Sequence, residues 1–274
     1  MRILNTLVSG TFDVLLYPFR DLPPVVGLTV MSVITAVAVL LIFKATSDQE
    51  ALAAAKRQMH AGIFEIRLFS DDPRAILSAQ VDIVRHSLRY MRLTLVPMLW
   101  MSIPLLLVIV QLQYRYGYHG LEVGSEAIVT VKLNASRTAD EPPPLELDAP
   151  SDVTVETPLL WIPSLNEADW RIRAQRPGTY RLHIRLGDAE LDKSVQVSNS
   201  VVRRSLVRPS GRLLSQVLHP VEPPLPAGPI ESIAVGYPEA EVSLFGWETH
   251  WLVVFFILTM IAAFALRGLF RVAI

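Results

Sequence analysis

Side chains able to do chemistry are few in this chain and lie far apart. Six histidines stand at positions 60, 86, 119, 183, 219 and 250, no two of them four residues apart, and cysteine is absent. Thiol catalysis, disulfide staples and cysteine-ligated zinc are therefore excluded, and a histidine-based metal centre lacks its spacing. There is no glycine-rich phosphate loop, no Gly-x-Ser-x-Gly elbow and no His-Glu-x-x-His pair. His183 lies between Leu182 and Ile184 in an alternating run, which places it on the solvent face of a strand rather than in a ligand set. The expectation is a protein that is not an enzyme and uses no cofactor or metal.

Charge is informative only locally. With 25 basic and 26 acidic residues the net charge is −1, so no nucleic-acid partner is expected. Arg203, Arg204, Arg208 and Arg212 precede five prolines between Pro220 and Pro229. Such a stretch is expected to be semi-extended and to link rather than pack. Its arginines would sit on anionic headgroups or on a partner, or form a solvated strap.

The elements that must carry these residues begin with membrane spans. Apolar residues make up 51% of the 274 and charged ones 19%, with a mean hydropathy of +0.37, which is high for a soluble domain. Val25–Phe43, Leu93–Leu112 and Trp247–Leu266 are each long enough to cross about 30 Å of hydrocarbon. The first run follows Pro23-Pro24 and ends at Phe43-Lys44, which reads as a span rather than a cleaved leader. Before it, Ile3, Leu4, Leu7, Val8, Thr11, Phe12, Leu15, Leu16 and Phe19 recur at helical spacing, with Asn5, Ser9 and Asp13 off that stripe. An amphipathic helix lying in the interface is expected. Eight Lys and Arg lie between spans one and two, against Arg2 and Arg20 before them. This bias puts the first loop and the C-terminus in the cytoplasm and the N-terminus and residues 113–246 outside a cytoplasmic (inner) membrane. Tyr114, Tyr116, Tyr118, Trp247 and Trp251 fall where an aromatic belt would lie at the outer boundary.

Between the first two spans, Ser47 and Glu50 have the spacing of a capping box, and Asp71-Asp72-Pro73 reads as a second helix start. Leu77, Val81, Val84, Leu88 and Met91 alternate in steps of four and three, and Leu52, Ala55, Met59, Ile63 and Ile66 could meet them. A short antiparallel coiled-coil hairpin is predicted, open to reading as a packed connector. From Gly124 the period becomes two, over Ala127–Leu133, Val153–Thr157, Trp170–Ala174, Tyr180–Leu186 and Leu191–Val197, as in a β-sandwich. Arg176 to Leu182 resembles the turn and tyrosine corner of immunoglobulin-like domains. The fold class is thus three transmembrane helices with a cytoplasmic helical hairpin plus an all-β immunoglobulin-like sandwich. In order, 1–22 is the interfacial helix, 23–46 span one, 47–92 the hairpin, 93–112 span two, 113–200 the sandwich, 201–246 the proline-rich linker with a return strand, and 247–274 span three with its tail.

This order of parts resembles the three-span core of the YidC/Oxa insertase superfamily, above all its archaeal YidC-like members and the third subunit of the ER membrane protein complex. The resemblance is carried by Ile3 to Phe19 with Pro23-Pro24, by the hairpin from Asp48 to Arg92, and by the second span with Pro97 and Pro104, which together cover about half the chain. It implies a shallow polar groove that lowers the cost of carrying a client's polar flank through hydrocarbon, without nucleotide hydrolysis. Groove candidates are Thr29, Ser32 and Thr35 in span one, Thr94 and Ser102 in span two, and Thr259 in span three. Small-residue helix packing is the other reading of each. Met59, Met91, Met98 and Met101 could receive varied apolar segments or simply fill gaps. Pro97 and Pro104 share a helix face and predict a bent second span. Two functions follow as expectations. One is an insertase or membrane chaperone with client segments and lipids as partners, and the other is a structural subunit that holds partner membrane subunits.

Overall fold

A computed structural model describes residues 2–68, 73–134, 142–187, 189–198, 200–211, 218–244 and 246–270. Its helices are α1 (Arg2–Leu16), continued by a short 3-10 turn at Tyr17–Phe19, α2 (Pro24–Thr46), α3 (Gln49–Leu68), α4 (Pro73–Tyr116) and α5 (Trp251–Phe270). The chain divides into two compact units, one of residues 1–27 and 109–254, the other of residues 28–108 and 255–274.

In the first unit, alternation of apolar and polar residues produces two sheets that share one core. The strands are β1 (Glu126–Leu133), β2 (Leu145–Asp148), β3 (Val153–Val155), β4 (Leu160–Ile162), β5 (Glu167–Ala174), β6 (Gly178–Leu186), β7 (Ala189–Val197), β8 (Val207–Pro209), β9 (Ile230–Val235), β10 (Glu241–Leu244) and β11 (Trp247–His250). One sheet runs β3-β5-β1-β9-β8 with β4 also on β5, and the other runs β2-β6-β7. Val129 and Val131 of β1, Ile172 of β5 and Ile233 of β9 meet Leu182, Ile184 and Val195 of the opposite sheet in that core. All the paired strands are antiparallel, β1 matching Val129 to Trp170 on one side and to Val235 on the other. The Tyr180 hydroxyl donates to the Arg176 carbonyl at 3.0 Å, closing the corner expected from sequence.

Two boundaries differ from expectation. Trp247–His250 is not the start of a helix but a strand, paired with β10 from Leu244↔Trp247 to Glu241↔His250. Gly246 at φ +85° supplies the left-handed turn that makes this hairpin. The proline-rich segment packs rather than links: β8 pairs with β9, and Leu225 is buried among the prolines.

Among the described residues, three helices are long and apolar enough to cross a membrane, within Pro24–Thr46, Gln80–Tyr116 and Trp251–Phe270. The predicted second hairpin helix and second span form one uninterrupted α4 of 44 residues that contains Pro97 and Pro104. The start of α3 is capped by Asp48, which accepts the Ala51 N–H at 2.9 Å, while the Ser47 hydroxyl turns back to the Phe43 carbonyl. Because α3 starts at Gln49, Asp48 and not Ser47 is the residue before the first turn, and Ala51 is the N3 residue it caps. Leu52 and Ala55 are buried as predicted. The stripe they were expected to meet is open, with Leu77, Val84, Leu88 and Met91 each 58–64% exposed. The side chains of Ile63 and Ile66, and the residues from Ser70 to Asp72, lie outside the described residues, as does Arg271.

Candidate functional site

The densest polar construction in the first unit surrounds the last turn of α4. Gln111 and Arg115 are four residues apart, as are Ser9 and Asp13 on α1, so each pair forms one stripe on its helix. Arg115, 3% exposed, donates to the Gln111 carbonyl at 2.9 Å, to Gln111 Oε1 at 3.2 Å and to the Asp13 carboxylate. Its guanidinium also stands 5.7 Å from the Phe12 ring centre. Ser9 Oγ and the Gln111 side chain are in hydrogen-bond contact, the amide nitrogen donating at 3.3 Å. The side of α1 expected to face water is therefore docked on protein, and Leu7, Val14 and Tyr17 point away at 64%, 77% and 65% exposure.

Other residues of that turn hold other segments. The Tyr114 hydroxyl lies 2.7 Å from the Leu218 carbonyl and 2.6 Å from His219 Nδ1. Trp251 Nε1 donates to Gln113 Oε1 at 3.0 Å. Tyr116 closes on α2 at Gly27, where an added Cβ would lie 2.1 Å from the phenol oxygen. The arrangement is a collar that fixes α1, the proline-rich segment and the first turns of α2 and α5 around one helix end.

The arginines proposed for headgroups are largely spent inside this unit. Arg204 is buried and donates to the carbonyls of Tyr118, Val202, Ser198 and Ser200. Four carbonyls gathered at a chain crossing need a multi-donor cation, so Arg204 is a structural clasp and not a surface contact. Arg208 donates to the carbonyls of Pro223 and Asp192. Arg203 is 3.7 Å from the Asp13 carboxylate and a quarter exposed. Arg212 lies outside the described residues.

Lys193, with no exposed side-chain surface, donates to Ser205 Oγ at 2.6 Å, to the Ser205 carbonyl at 2.8 Å and to Glu222 at 2.7 Å. Burial pulls its pKa down to about 8, with Glu222 opposing. Burial alone would raise the Glu222 carboxyl; Lys193 and hydrogen bonds from Lys193, Ser194 and Ser205 outweigh it and hold it below the usual carboxylate value. A serine this close to a lysine has the distance of a nucleophile and its base. Here all three ammonium donors are committed and the lysine is a cation at neutral pH, so the group staples the proline-rich segment to β7. His183 sits half-exposed, 2.8 Å from Asp192.

In the second unit Ser32, Thr35, Thr94 and Ser102, four of the hydroxyls named from sequence, each bond to a backbone carbonyl. Ser32 is fully buried and donates to the Phe255 carbonyl of α5 at 3.2 Å. Thr35 returns its proton to the Met31 carbonyl, Thr94 to those of Tyr90 and Met91, and Ser102 to that of Leu99. Thr29 is exposed. The Thr259 hydroxyl is buried without a hydrogen-bond partner among the described residues. Met91 and Met98 are exposed, Met59 and Met101 half-buried.

The chain matches no family model, no curated protein and no solved structure. Its function has to be argued from these residues.

The collar was missed in sequence because its partners lie about a hundred residues apart. Its signal was there: Gln111 and Arg115 are a polar pair at helical spacing, one at the end of the second apolar run and one just beyond it.

Proposed function

We propose that the chain is a non-catalytic scaffold subunit of a larger membrane complex. Its three apolar helices cross the bilayer, its immunoglobulin-like sandwich stands on one side, and the uncovered length of α4 receives helices of partner subunits. One observation carries this reading: only 6% of the most apolar stretch of α4 is buried, against 39% for α2. Helices in lipid associate through close packing rather than a hydrophobic drive, and α4 packs little of its surface within its own chain. Leu99, Trp100, Ile103 and Leu106 stay 58–60% exposed. The locally satisfied hydroxyls of Thr94 and Ser102 fit a packing surface better than a polar groove.

The membrane assignment is supported by α1, where polar Ser9 is buried toward Gln111 and Arg115 while apolar Leu7 and Val14 are exposed, as suits a helix lying in an interface. The Lys/Arg bias supports a cytoplasmic membrane with the α2–α4 connection inside and the sandwich outside. The tyrosine corner supports the immunoglobulin-like reading of the two sheets. Exposed Met91 and Met98 favour one second reading, the YidC/Oxa-like insertase, because thioethers adapt to varied apolar clients.

Site-specific photo-crosslinking from Trp100 and Ile103 in native membranes tests both. One or two fixed partners at constant stoichiometry support the scaffold. A broad set of newly made membrane proteins supports the insertase and overturns the scaffold. Adducts with lipid alone overturn both.

A further inference from the structure

We propose that the N-terminal half of α4 is a homodimer seam whose occupant is a second copy of this chain, lying parallel. Leu77, Val84 and Met91 recur every seven residues, as do Val81, Leu88 and Leu95 between them, which is the heptad spacing of 3.5 residues per turn. All six are 53–64% exposed on one continuous helix. A straight helix of 3.6 residues per turn drifts away from such a stripe, and keeps it buried only by supercoiling with a partner. Among the described residues α3 leaves the stripe open.

The flanking charges select the occupant and its direction. With Val81 and Leu88 at a and Val84 and Met91 at d, positions g are Gln80 and Ser87 and positions e are Arg85 and Arg92. In a parallel pair each g faces the following e of the other helix. Arg85 then meets Gln80 of the second copy, and Arg92 meets its Ser87, a guanidinium opposite an amide or hydroxyl each time. An antiparallel pair would bring the arginine edges of the two helices together, which costs stability. Asp82, 3.5 Å from Arg85, already anchors that arginine from the outer side. Six side chains offering on the order of 100 Å² each approach the ~800 Å² per partner of a standard interface. Parallel order is also imposed by the bilayer, since two copies threaded the same way present α4 in one direction. This last argument rests on the membrane reading above.

The absence of cysteine makes every introduced thiol unique. Val84→Cys, Leu88→Cys and Met91→Cys on the seam, and Asp82→Cys, His86→Cys and Arg89→Cys off it, are oxidised in membranes from cells expressing the full chain. Disulfide-linked product of twice the chain mass is expected at the seam positions, at least tenfold over the others. Leu88→Asp should abolish linking through Met91→Cys while Leu88→Ile keeps it. Linking that is absent, equal at all six positions, or directed to a chain of other mass overturns the proposal. These outcomes are independent of what Trp100 and Ile103 capture, so failure of the dimer and failure of the scaffold are told apart.

Discussion

At the residue scale, the buried cations decide how the first unit responds to mutation and pH. Removing one partner of the Lys193–Glu222 pair leaves the other charge in a dry site. Lys193→Met or Glu222→Gln should therefore lower stability by about 3–5 kcal/mol, and the apolar pair Lys193→Met/Glu222→Leu by much less. Thermal melts of the three variants check this. The carboxyl is held below its ordinary 4.5, so its contribution is complete above that pH and is lost as the pH falls through the depressed folded value. The melting temperature of the native chain should drop below pH 4.5, and that of Glu222→Gln should be flatter there. Arg115 works differently, because its partner Asp13 is half exposed. Arg115→Ala should release α1, read as new protease or thiol-probe access at Ser9→Cys, whereas Asp13→Asn keeps a hydrogen bond and most of the protection.

At the element scale, what could be read in advance depended on length and period. The long apolar runs and the alternating strands β1, β5, β6 and β7 stand out because one environment acts on eight or more residues in succession. β2, β4 and β8 have three or four residues each beside prolines, too few for a period to show. The collar was illegible for another reason: Ser9, Asp13, Gln111 and Arg115 reveal their purpose only when two distant helices meet. Contact between α2 and α4 is likewise non-local in cause, since it takes a glycine at position 27 to leave room for the Tyr116 hydroxyl. Gly27→Leu should destabilise this crossing, and adding Tyr116→Phe should recover part of the loss by removing the nearest atom. Detergent melts of the single and double variants measure the coupling.

At the scale of the whole molecule, the Lys/Arg bias makes a prediction about sidedness. An impermeant maleimide applied from outside should label Glu190→Cys in β7 and leave His60→Cys in α3 unlabelled until the membrane is opened; the reverse pattern inverts the orientation. The groove hydroxyls were legible as residues but not as a site, because Thr94 and Ser102 find acceptors within their own helix and need no common cleft. The stripe itself has a mechanical consequence. Leu77 to Leu95 lie on one unbroken stretch of α4, about 27 Å of helix. One alanine inserted between Val84 and Arg85 would turn Leu88, Met91 and Leu95 by about 100° away from Leu77, Val81 and Val84, while seven would return them to nearly the same bearing. The helix is in this sense a torsion rod, and the azimuth at which its side chains meet a neighbour is set by a residue count.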